Sequence, residues 1–203
     1  SRIDEIQEIC NQCNISVIED AAESLGSYYK NNHLGSTSLM ATFSFNGNKI
    51  ITSGGGGMVV TNDESLSQKM KHLSTTAKVP HKWNFYHNDI GYNYRMPNIN
   101  AALGLAQLEQ LQLFIKNKEL IMRKYKNWCK DNMVSFVEPI KHSSPNFWLN
   151  TIIVKNIEER DYVLEETNKK LIQTRPAWNP LDSLPMFKNF QVNNLPNTAW
   201  LFE

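Results

Sequence analysis

A lysine close to a run of glycines is the first candidate for chemistry in this sequence. Lys49 follows the β-forming run 40–45 and the turn signal Asn46-Gly47, and it precedes the tetraglycine Gly54–Gly57. The glycines do not form a P-loop, because a P-loop lysine comes after its glycines, and the dinucleotide-binding spacing is absent as well. A lysine at a strand end is by default exposed and solvated, and a catalytic role beside closely approaching backbone is the alternative.

Two acidic residues end a second predicted strand. The run Ile15–Ile18 is rich in β-branched residues, Glu19 and Asp20 follow it, and an amphipathic helix over 3–13 precedes it. A helix followed by a buried strand predicts an α/β unit, and open α/β sheets bind ligands at the carboxyl ends of their strands. Asp20 is therefore a candidate site residue, and a simple turn or cap residue is the alternative.

The three cysteines favour a reducing compartment, because an odd number does not form a disulfide framework. Cys10 and Cys13 form a C-x-x-C pattern, which raises a redox pair or a zinc site. A redox pair opens a helix that follows a strand, and a zinc site needs a second pair of ligands; neither condition holds. Both thiols fall on the apolar face of the first helix, so we expect them to pack in a core, and we predict no metal site.

Composition excludes several classes of protein. The 203 residues carry 21 Lys and Arg against 20 Asp and Glu, a formal net charge of +1, and no basic cluster. This balance argues against a nucleic-acid or anionic-membrane binder, and no apolar run approaches the roughly 18 residues of a membrane span. We predict a soluble, cytoplasmic protein of about one and a half domains. Because the chain begins inside an amphipathic pattern and ends without a polar tail, we expect a partial chain.

Further elements must position these residues. Residues 57–61 predict a third strand, and Asn62 or Asp63 is a candidate cap for the next helix. The segment 74–97 is rich in aromatic residues and is long for a loop, so a functional or interfacial role is expected. The segment 98–130 predicts one long helix, buried in its apolar first half. The remaining predicted elements are strands at 134–137 and 148–154, a charged helix at 158–171 and a proline-rich loop to the end.

Four motifs in the correct order resemble the DegT/StrS family of pyridoxal-phosphate-dependent nucleotide-sugar aminotransferases. They are Val17–Gly26, Phe43–Lys49, Thr52–Gly57, and Gly91–Pro97 running into Ala101–Leu108. The resemblance covers most of the chain and is most secure over residues 17–111. It implies an α/β fold of the aspartate aminotransferase type (fold type I). Residues 1–115 would be the C-terminal part of the large cofactor-binding domain, and residues 116–203 an incomplete small α+β domain.

The resemblance implies a role for each matching residue. Lys49 would be the catalytic residue and bind the aldehyde of pyridoxal 5'-phosphate (PLP) covalently. Asp20 would pair with the pyridine nitrogen, and Glu23 would lie near the phenolic oxygen. Ser44 would donate to the cofactor phosphate, and Asn93 would reach the phosphate of a neighbouring subunit, so a homodimer with a shared active site is implied. Outside the family context, Glu23 is a solvated first-turn residue, Ser44 a strand hydroxyl and Asn93 a turn residue.

The function implied by the resemblance is transfer of an amino group from an amino acid, L-glutamate, to a 4-keto-6-deoxy nucleotide sugar in bacterial surface-glycan or nonulosonic-acid biosynthesis. The glycines around Lys49 are similar to those of members that act on UDP-linked sugars of the legionaminic-acid or bacillosamine type. Asn46 stands where many relatives carry His, and Gly55 where they carry Glu, which leaves the sugar open. The alternatives are a dehydratase of the same fold, whose known members replace the lysine by His, and a non-catalytic homologue.

Overall fold

A computed structural model describes residues 2–202, and its contacts divide the chain into two compact units. The first unit comprises the chain up to Lys124 together with Glu138–Leu149. The second comprises Tyr125–Val137 and the chain from Asn150 onward. All five candidate site residues belong to the first unit. The predicted boundary between residues 115 and 116 concerns the family's two domains and stays a prediction. The division by contacts first falls later in the chain, between Lys124 and Tyr125.

The described residues form a mixture of helices and short strands. The helices are α1 (Ile3–Gln12), α2 (Glu64–Ser74), α3 (Asn98–Glu109), α4 (Leu111–Asp131), α5 (Ile157–Lys169) and α6 (Pro196–Phe202). The strands are β1 (Ile18–Asp20), β2 (Tyr28–Tyr29), β3 (Asn32–His33), β4 (Met40–Ser44), β5 (Gly57–Val60), β6 (Lys78–Val79), β7 (Tyr86–His87), β8 (Ser135–Phe136), β9 (Ser143–Ser144) and β10 (Ile152–Ile153).

A three-stranded sheet in the order β1, β4, β5 forms the base of the first unit. β1 runs parallel to β4 with Asp20 opposite Thr42, and β5 runs antiparallel to β4 with Gly57 opposite Ser44. Side chains alternate between the two faces of a strand. Accordingly, Ala41 and Phe43 of β4 are buried, and together with Ala21 they form the core cluster of this sheet. Because β1 and β4 are parallel, their carboxyl ends lie at the same edge.

A second small sheet brings a late part of the chain beside an early one. β2 and β3 form a hairpin, and β9 pairs with the other edge of β2, with Ser143 opposite Tyr29. A backbone hydrogen bond from the Lys30 amide to the His142 carbonyl, at 2.9 Å, extends this pairing. The segment Glu138–Leu149 is thereby fixed next to the chain that follows β1.

Several predicted elements are confirmed. α1, β4 and β5 lie where the sequence pattern places them, and Asp63 caps α2 by accepting a hydrogen bond from the Leu66 amide at 3.0 Å. Hydrogen bonds from the Ser65 hydroxyl and the Leu66 amide also hold the pKa of Asp63 below its usual value. Such a cap satisfies a helix amide that would otherwise have no partner.

Other predicted elements differ from the structure. The strand predicted at 15–18 is wrong, because β1 begins at Ile18 and includes the two acidic residues expected to follow it. The helix predicted over 98–130 is two helices, since Gln110 ends α3 and α4 begins at Leu111. The segment 74–97 contains the hairpin of β6 and β7, and the predicted C-terminal loop contains α6.

Two predictions of burial are wrong. No residue of α3 is buried, and Ile99 is 85% exposed. The side chains with which α3 contacts the glycine loop are polar, namely Asn100 and Gln107. Cys13 is exposed and Cys10 only half-buried, since Cys13 lies at the C-terminal cap of α1, beyond its apolar face. Cys129 is buried, and this burial raises the pKa of its thiol.

The second unit contains the end of α4, a two-stranded sheet and the C-terminal elements. β8 and β10 pair antiparallel, with Phe136 opposite Ile152. Asn156 begins α5 as its cap, because its side-chain oxygen accepts a hydrogen bond from the Glu159 amide at 2.9 Å. Among the helices within residues 2–202, none has the length and apolar character required to span a membrane.

Candidate active site

Lys49 lies in the turn that closes β4, and its amine is shielded from solvent. The Lys49 amide donates to the Asn46 carbonyl at 3.1 Å, which completes the turn. Its Nζ forms an ion pair with Oε1 of Glu23, and the Lys49 side chain is 12% exposed, whereas that of Glu23 is 45% exposed. A solvated lysine would retain most of its exposure, so the default expectation for this residue is wrong. The structure therefore places a shielded amine and a carboxylate in contact at the edge of the sheet.

Asp20 is the last residue of β1, and its neighbour Glu19 is engaged elsewhere. The Glu19 carboxylate accepts a hydrogen bond from the Gly35 amide at 2.9 Å. Asp20 is exposed and accepts one hydrogen bond, from the Ala22 amide at 3.1 Å, in the turn that the alternative interpretation expected. Because adjacent side chains of a strand point to opposite faces, these two carboxylates do not compete for one site. Asp20 is the carboxylate with capacity left for a ligand.

Ser44 ends β4 at the same edge of the sheet. Its hydroxyl accepts a long hydrogen bond from the Asn46 amide at 3.4 Å, and its backbone pairs with Gly57. A hydroxyl keeps both a donor and an acceptor function, so Ser44 is able to donate to an anionic group. The strand end thus presents a hydroxyl close in sequence to the turn that carries Lys49.

The glycine loop is held by α3 and by its own backbone. The Asn100 side chain donates to the Ser53 carbonyl at 2.6 Å, and the Gln107 side chain accepts from the Thr52 amide at 3.4 Å. Ser53 is completely buried. Gly54 and Gly56 have φ angles of +81° and +88°, a backbone conformation that favours glycine. The loop is therefore a fixed part of the site and not merely a flexible linker.

Two residues that the sequence did not indicate complete this region. Asn146 is 3% exposed, and its amide group donates to the backbone carbonyls of Glu23 and Leu25 at 2.8 and 2.9 Å. The Trp148 indole donates to the Asn48 carbonyl at 2.6 Å, and the Lys49 amine lies 4.8 Å from the centre of the Trp148 ring. No local sequence signal marks either residue, because their partners lie about a hundred positions away along the chain.

Asn93 belongs to a different part of the first unit. It lies in the segment 74–97, is exposed, and forms an isolated β-bridge with Thr75. Its neighbours Tyr92 and Tyr94 stack with ring centres 5.1 Å apart. The structure brings Lys49 and Glu23 into contact and places Asp20 and Ser44 at one sheet edge, whereas Asn93 is positioned independently by the end of α2.

The order of these features along the chain is that of a known group of enzymes. The model of the DegT/DnrJ/EryC1/StrS aminotransferase family matches residues 1–203. The chain belongs to this family. The resemblance inferred from the four motifs is therefore confirmed, and so is the α/β fold of type I that it implies.

Individual relatives agree with this assignment. GDP-perosamine synthase from Escherichia coli O157:H7 is 43% identical over 188 residues, which cover 91% of this chain and 50% of that protein. A UDP-4-amino-4,6-dideoxy-N-acetyl-beta-L-altrosamine transaminase from Campylobacter jejuni is 36% identical over 138 residues, covering 67% of this chain and 37% of that protein. The chain spans about half the length of the curated relatives it matches.

Solved structures extend the comparison to three dimensions. Helicobacter pylori PseC, an aminotransferase involved in the biosynthesis of pseudoaminic acid, superposes with a TM-score of 0.91 at 27% identity, covering 100% of this chain and 56% of PseC. The neighbours also include the PLP-form of a sugar aminotransferase from Streptococcus pneumoniae, with a TM-score of 0.84 at 25% identity over 93% of this chain and 51% of that one. Aminotransferases of this family depend on PLP.

Proposed function

We propose that this chain belongs to an enzyme that transfers an amino group from an amino acid, L-glutamate, to a 4-keto-6-deoxy nucleotide sugar. The observation that carries the proposal is the shielded Lys49 amine in contact with Glu23 at the carboxyl edge of β1 and β4. The names of the relatives support the acceptor class, since they include a GDP-linked and a UDP-linked sugar. The product would serve bacterial surface-glycan or nonulosonic-acid biosynthesis.

The donor set at this edge fits PLP. Lys49 supplies an amine for the cofactor's aldehyde, Asp20 an exposed carboxylate for its ring nitrogen, and Ser44 a hydroxyl for its phosphate. A bound PLP supplies an electron-withdrawing ring that accepts the electron pair left when a proton departs from the substrate carbon. An Asp20 carboxylate beside the ring nitrogen would keep that nitrogen protonated, which strengthens this electron demand.

Lys49 and Glu23 would transfer the proton that departs from the substrate carbon. A lysine amine takes up a proton only when it is neutral, so its ammonium form must first lose one. The Glu23 carboxylate contacts Nζ and is 45% exposed, so it is placed to receive that proton and to pass it to solvent. Shielding of Lys49 by the surrounding chain keeps bulk water from competing at Nζ. The pair would thus hold and move one proton at a single atom.

The proposed homodimer is supported by exposed apolar side chains in and beside the segment that carries Asn93. Trp83 and Phe85 are each 77% exposed, and Ile99 of α3 is 85% exposed. Large apolar side chains exposed in the same part of a chain are typical of a protein interface. We propose that a second copy of the protein covers it and that Asn93 serves the phosphate in the partner's site. A cytoplasmic location is proposed on the odd number of cysteines.

The protein that carries this chain, expressed at its full natural length, is the material for the test. It is incubated with glutamate and a panel of 4-keto-6-deoxy nucleotide sugars, and the products are identified by mass spectrometry. We expect an aminated sugar from the wild-type protein and none from Lys49→Ala, with Lys49→Arg as the control that keeps the charge. A deoxygenated product without nitrogen would indicate the dehydratase instead, and full activity of Lys49→Ala would overturn the proposal.

A further inference from the structure

Trp148 contacts the candidate catalytic lysine in two ways. Its ring lies under the ammonium group, with Nζ of Lys49 4.8 Å from the ring centre, a distance within the range of a cation–π contact. Its indole N–H donates to the carbonyl of Asn48, the residue directly before the lysine, at 2.6 Å. One side chain therefore touches both the reactive end of Lys49 and the backbone from which Lys49 projects.

Asn146 fixes the position of Trp148. The Asn146 side-chain oxygen accepts a hydrogen bond from the Trp148 backbone amide at 3.0 Å. The Asn146 backbone amide donates a hydrogen bond to the Ser27 hydroxyl at 3.0 Å. The two remaining hydrogen bonds of Asn146 go to the carbonyls of Glu23 and Leu25. The segment 146–148 thus joins the backbone of Glu23 to the turn of Lys49, the two halves of the ion pair.

The geometry points to Trp148 as a positioning residue for Lys49, held in place by Asn146. This inference rests on the proposed function for the use that is made of the amine. Lys49 has four rotatable side-chain bonds, and an unrestrained ammonium would spend much of its time in solvent. The Trp148 ring limits the positions open to Nζ, and the bond to Asn48 limits those open to the turn. Together they hold the amine beside Glu23 and away from bulk water.

The first experiment measures the accessibility of the amine and needs no cofactor. The full-length protein, freed of any bound PLP, is labelled with an amine-specific acetylating reagent, and the rate at each lysine is read by peptide mass spectrometry, with Lys30 as the internal reference. Lys30 is the matched reference because it also pairs with a carboxylate, that of Asp4, but is 49% exposed. In Trp148→Leu we expect labelling of Lys49 relative to Lys30 to rise about three- to fivefold, which corresponds to the strength of one cation–π contact.

Two further variants separate the ring from its hydrogen bond. Trp148→Phe keeps a ring under Nζ and removes the indole N–H, so labelling of Lys49 should stay close to wild type while the Lys49 backbone amide exchanges with deuterium faster. Trp200→Leu is the control, because Trp200 is 65% exposed and lies in the second unit. An unchanged Lys49 ratio in Trp148→Leu, or unchanged Lys49 amide exchange in Trp148→Phe, would overturn the inference.

The second experiment separates this inference from the proposed function. PLP is added, the adduct is reduced with borohydride, and the yield on Lys49 is followed over time by mass spectrometry. We expect slower capture in Trp148→Leu and recovery in Trp148→Phe. Absence of capture in the wild-type protein would count against the proposed function alone, since the labelling ratios do not depend on PLP. Equal capture rates in the wild-type protein and Trp148→Leu would count against the role of Trp148.

Discussion

The turn of Lys49 and the surface formed by residues 74–109 differ in the solvent exposure of their side chains. At the turn, the charged side chain of Lys49 is 12% exposed, and a carboxylate and an aromatic ring from the same chain contact its amine. At the second surface, large apolar side chains such as Trp83 and Ile99 are more than three quarters exposed. The usual preference is inverted in both places: the charged amine is covered by its own chain, whereas these apolar side chains are left uncovered by the described residues 2–202.

Among the variants that test this comparison, we expect the largest loss of stability when Asn146 is replaced. Asn146→Ala removes a buried amide group that donates to two partly buried carbonyls and accepts from the Trp148 amide, so we expect a loss of about 3 kcal/mol in the free energy of unfolding. Asn88→Ala is the matched control, because Asn88 is exposed and bonds to His72 at 2.6 Å; its cost should be below about 1 kcal/mol. Urea denaturation measures both, and equal costs would contradict the comparison.

The glycine loop gives a second and smaller effect. A Cβ atom at Gly57 would lie 2.5 Å from the Phe43 carbonyl oxygen, so Gly57→Ala must displace backbone at the edge of the sheet and should cost about 2 kcal/mol. A Cβ atom at Gly55 meets nothing within 4 Å, and Gly55→Ala should change stability by less than about 0.5 kcal/mol. Thermal unfolding of the two variants side by side is the measurement. If Gly55→Ala proved the more harmful, the described shape of the loop would be wrong.

A third prediction concerns the exposed surface. Ile99→Ser removes an apolar side chain that is 85% exposed, so the stability of the chain itself should change by less than about 0.5 kcal/mol. If a second copy covers this surface, the same change should weaken self-association severalfold, which sedimentation velocity measures over a range of concentrations. Val137→Ser, at a side chain 42% exposed in the second unit, is the control. Unchanged sedimentation of Ile99→Ser would leave α3 outside the interface.

The smallest effect lies at the ion pair of Lys30 and Asp4. The Lys30 ammonium holds the pKa of Asp4 below its ordinary value, and the Asp4 carboxylate in turn raises the pKa of Lys30. A lowered acid pKa contributes stability above the unfolded-state value, and this contribution is lost as the pH falls through the folded-state value. Both side chains are nearly half exposed, so the loss should be small and should diminish further in salt. Asp4→Asn should make the free energy of unfolding less dependent on pH in the acid range. An unchanged pH dependence, measured by urea denaturation, would contradict the prediction.

Much of the fold, together with the position of Lys49 after a strand, could be predicted because it depends on local patterns. The alternation in β4 and the cap at Asp63 are visible over a few residues, and the position of Lys49 after a strand follows from the same stretch. β1 was misplaced because acidic residues are rare in strands, whereas Glu19 is stabilised there by the distant Gly35 amide. The contact between Lys49 and Glu23 was not predicted, because the family resemblance implied only that Glu23 lies near the phenolic oxygen of the cofactor and no spacing links the two residues.

The remainder of the site could not be predicted because it depends on contacts between distant parts of the chain. Asn146 acts on Glu23 across 123 positions, and its own neighbours in sequence contain no pattern that indicates burial. The apolar composition of α3 predicted burial, but composition does not specify whether the same chain or another one supplies the cover. These failures coincide with the two regions compared above.

The hydrogen bond between the Trp148 indole and the Asn48 carbonyl has a consequence for the exposure of Lys49 while the chain is being synthesised. The two residues are 100 positions apart, so a chain emerging from the ribosome exposes Lys49 long before its aromatic cover is made. Closing so long a loop is also slow, because its ordering entropy must be overcome before the contact stabilises it. The amine therefore passes through an early period in which small aldehydes reach it freely, and that period ends only when both α3 and α4 have been synthesised.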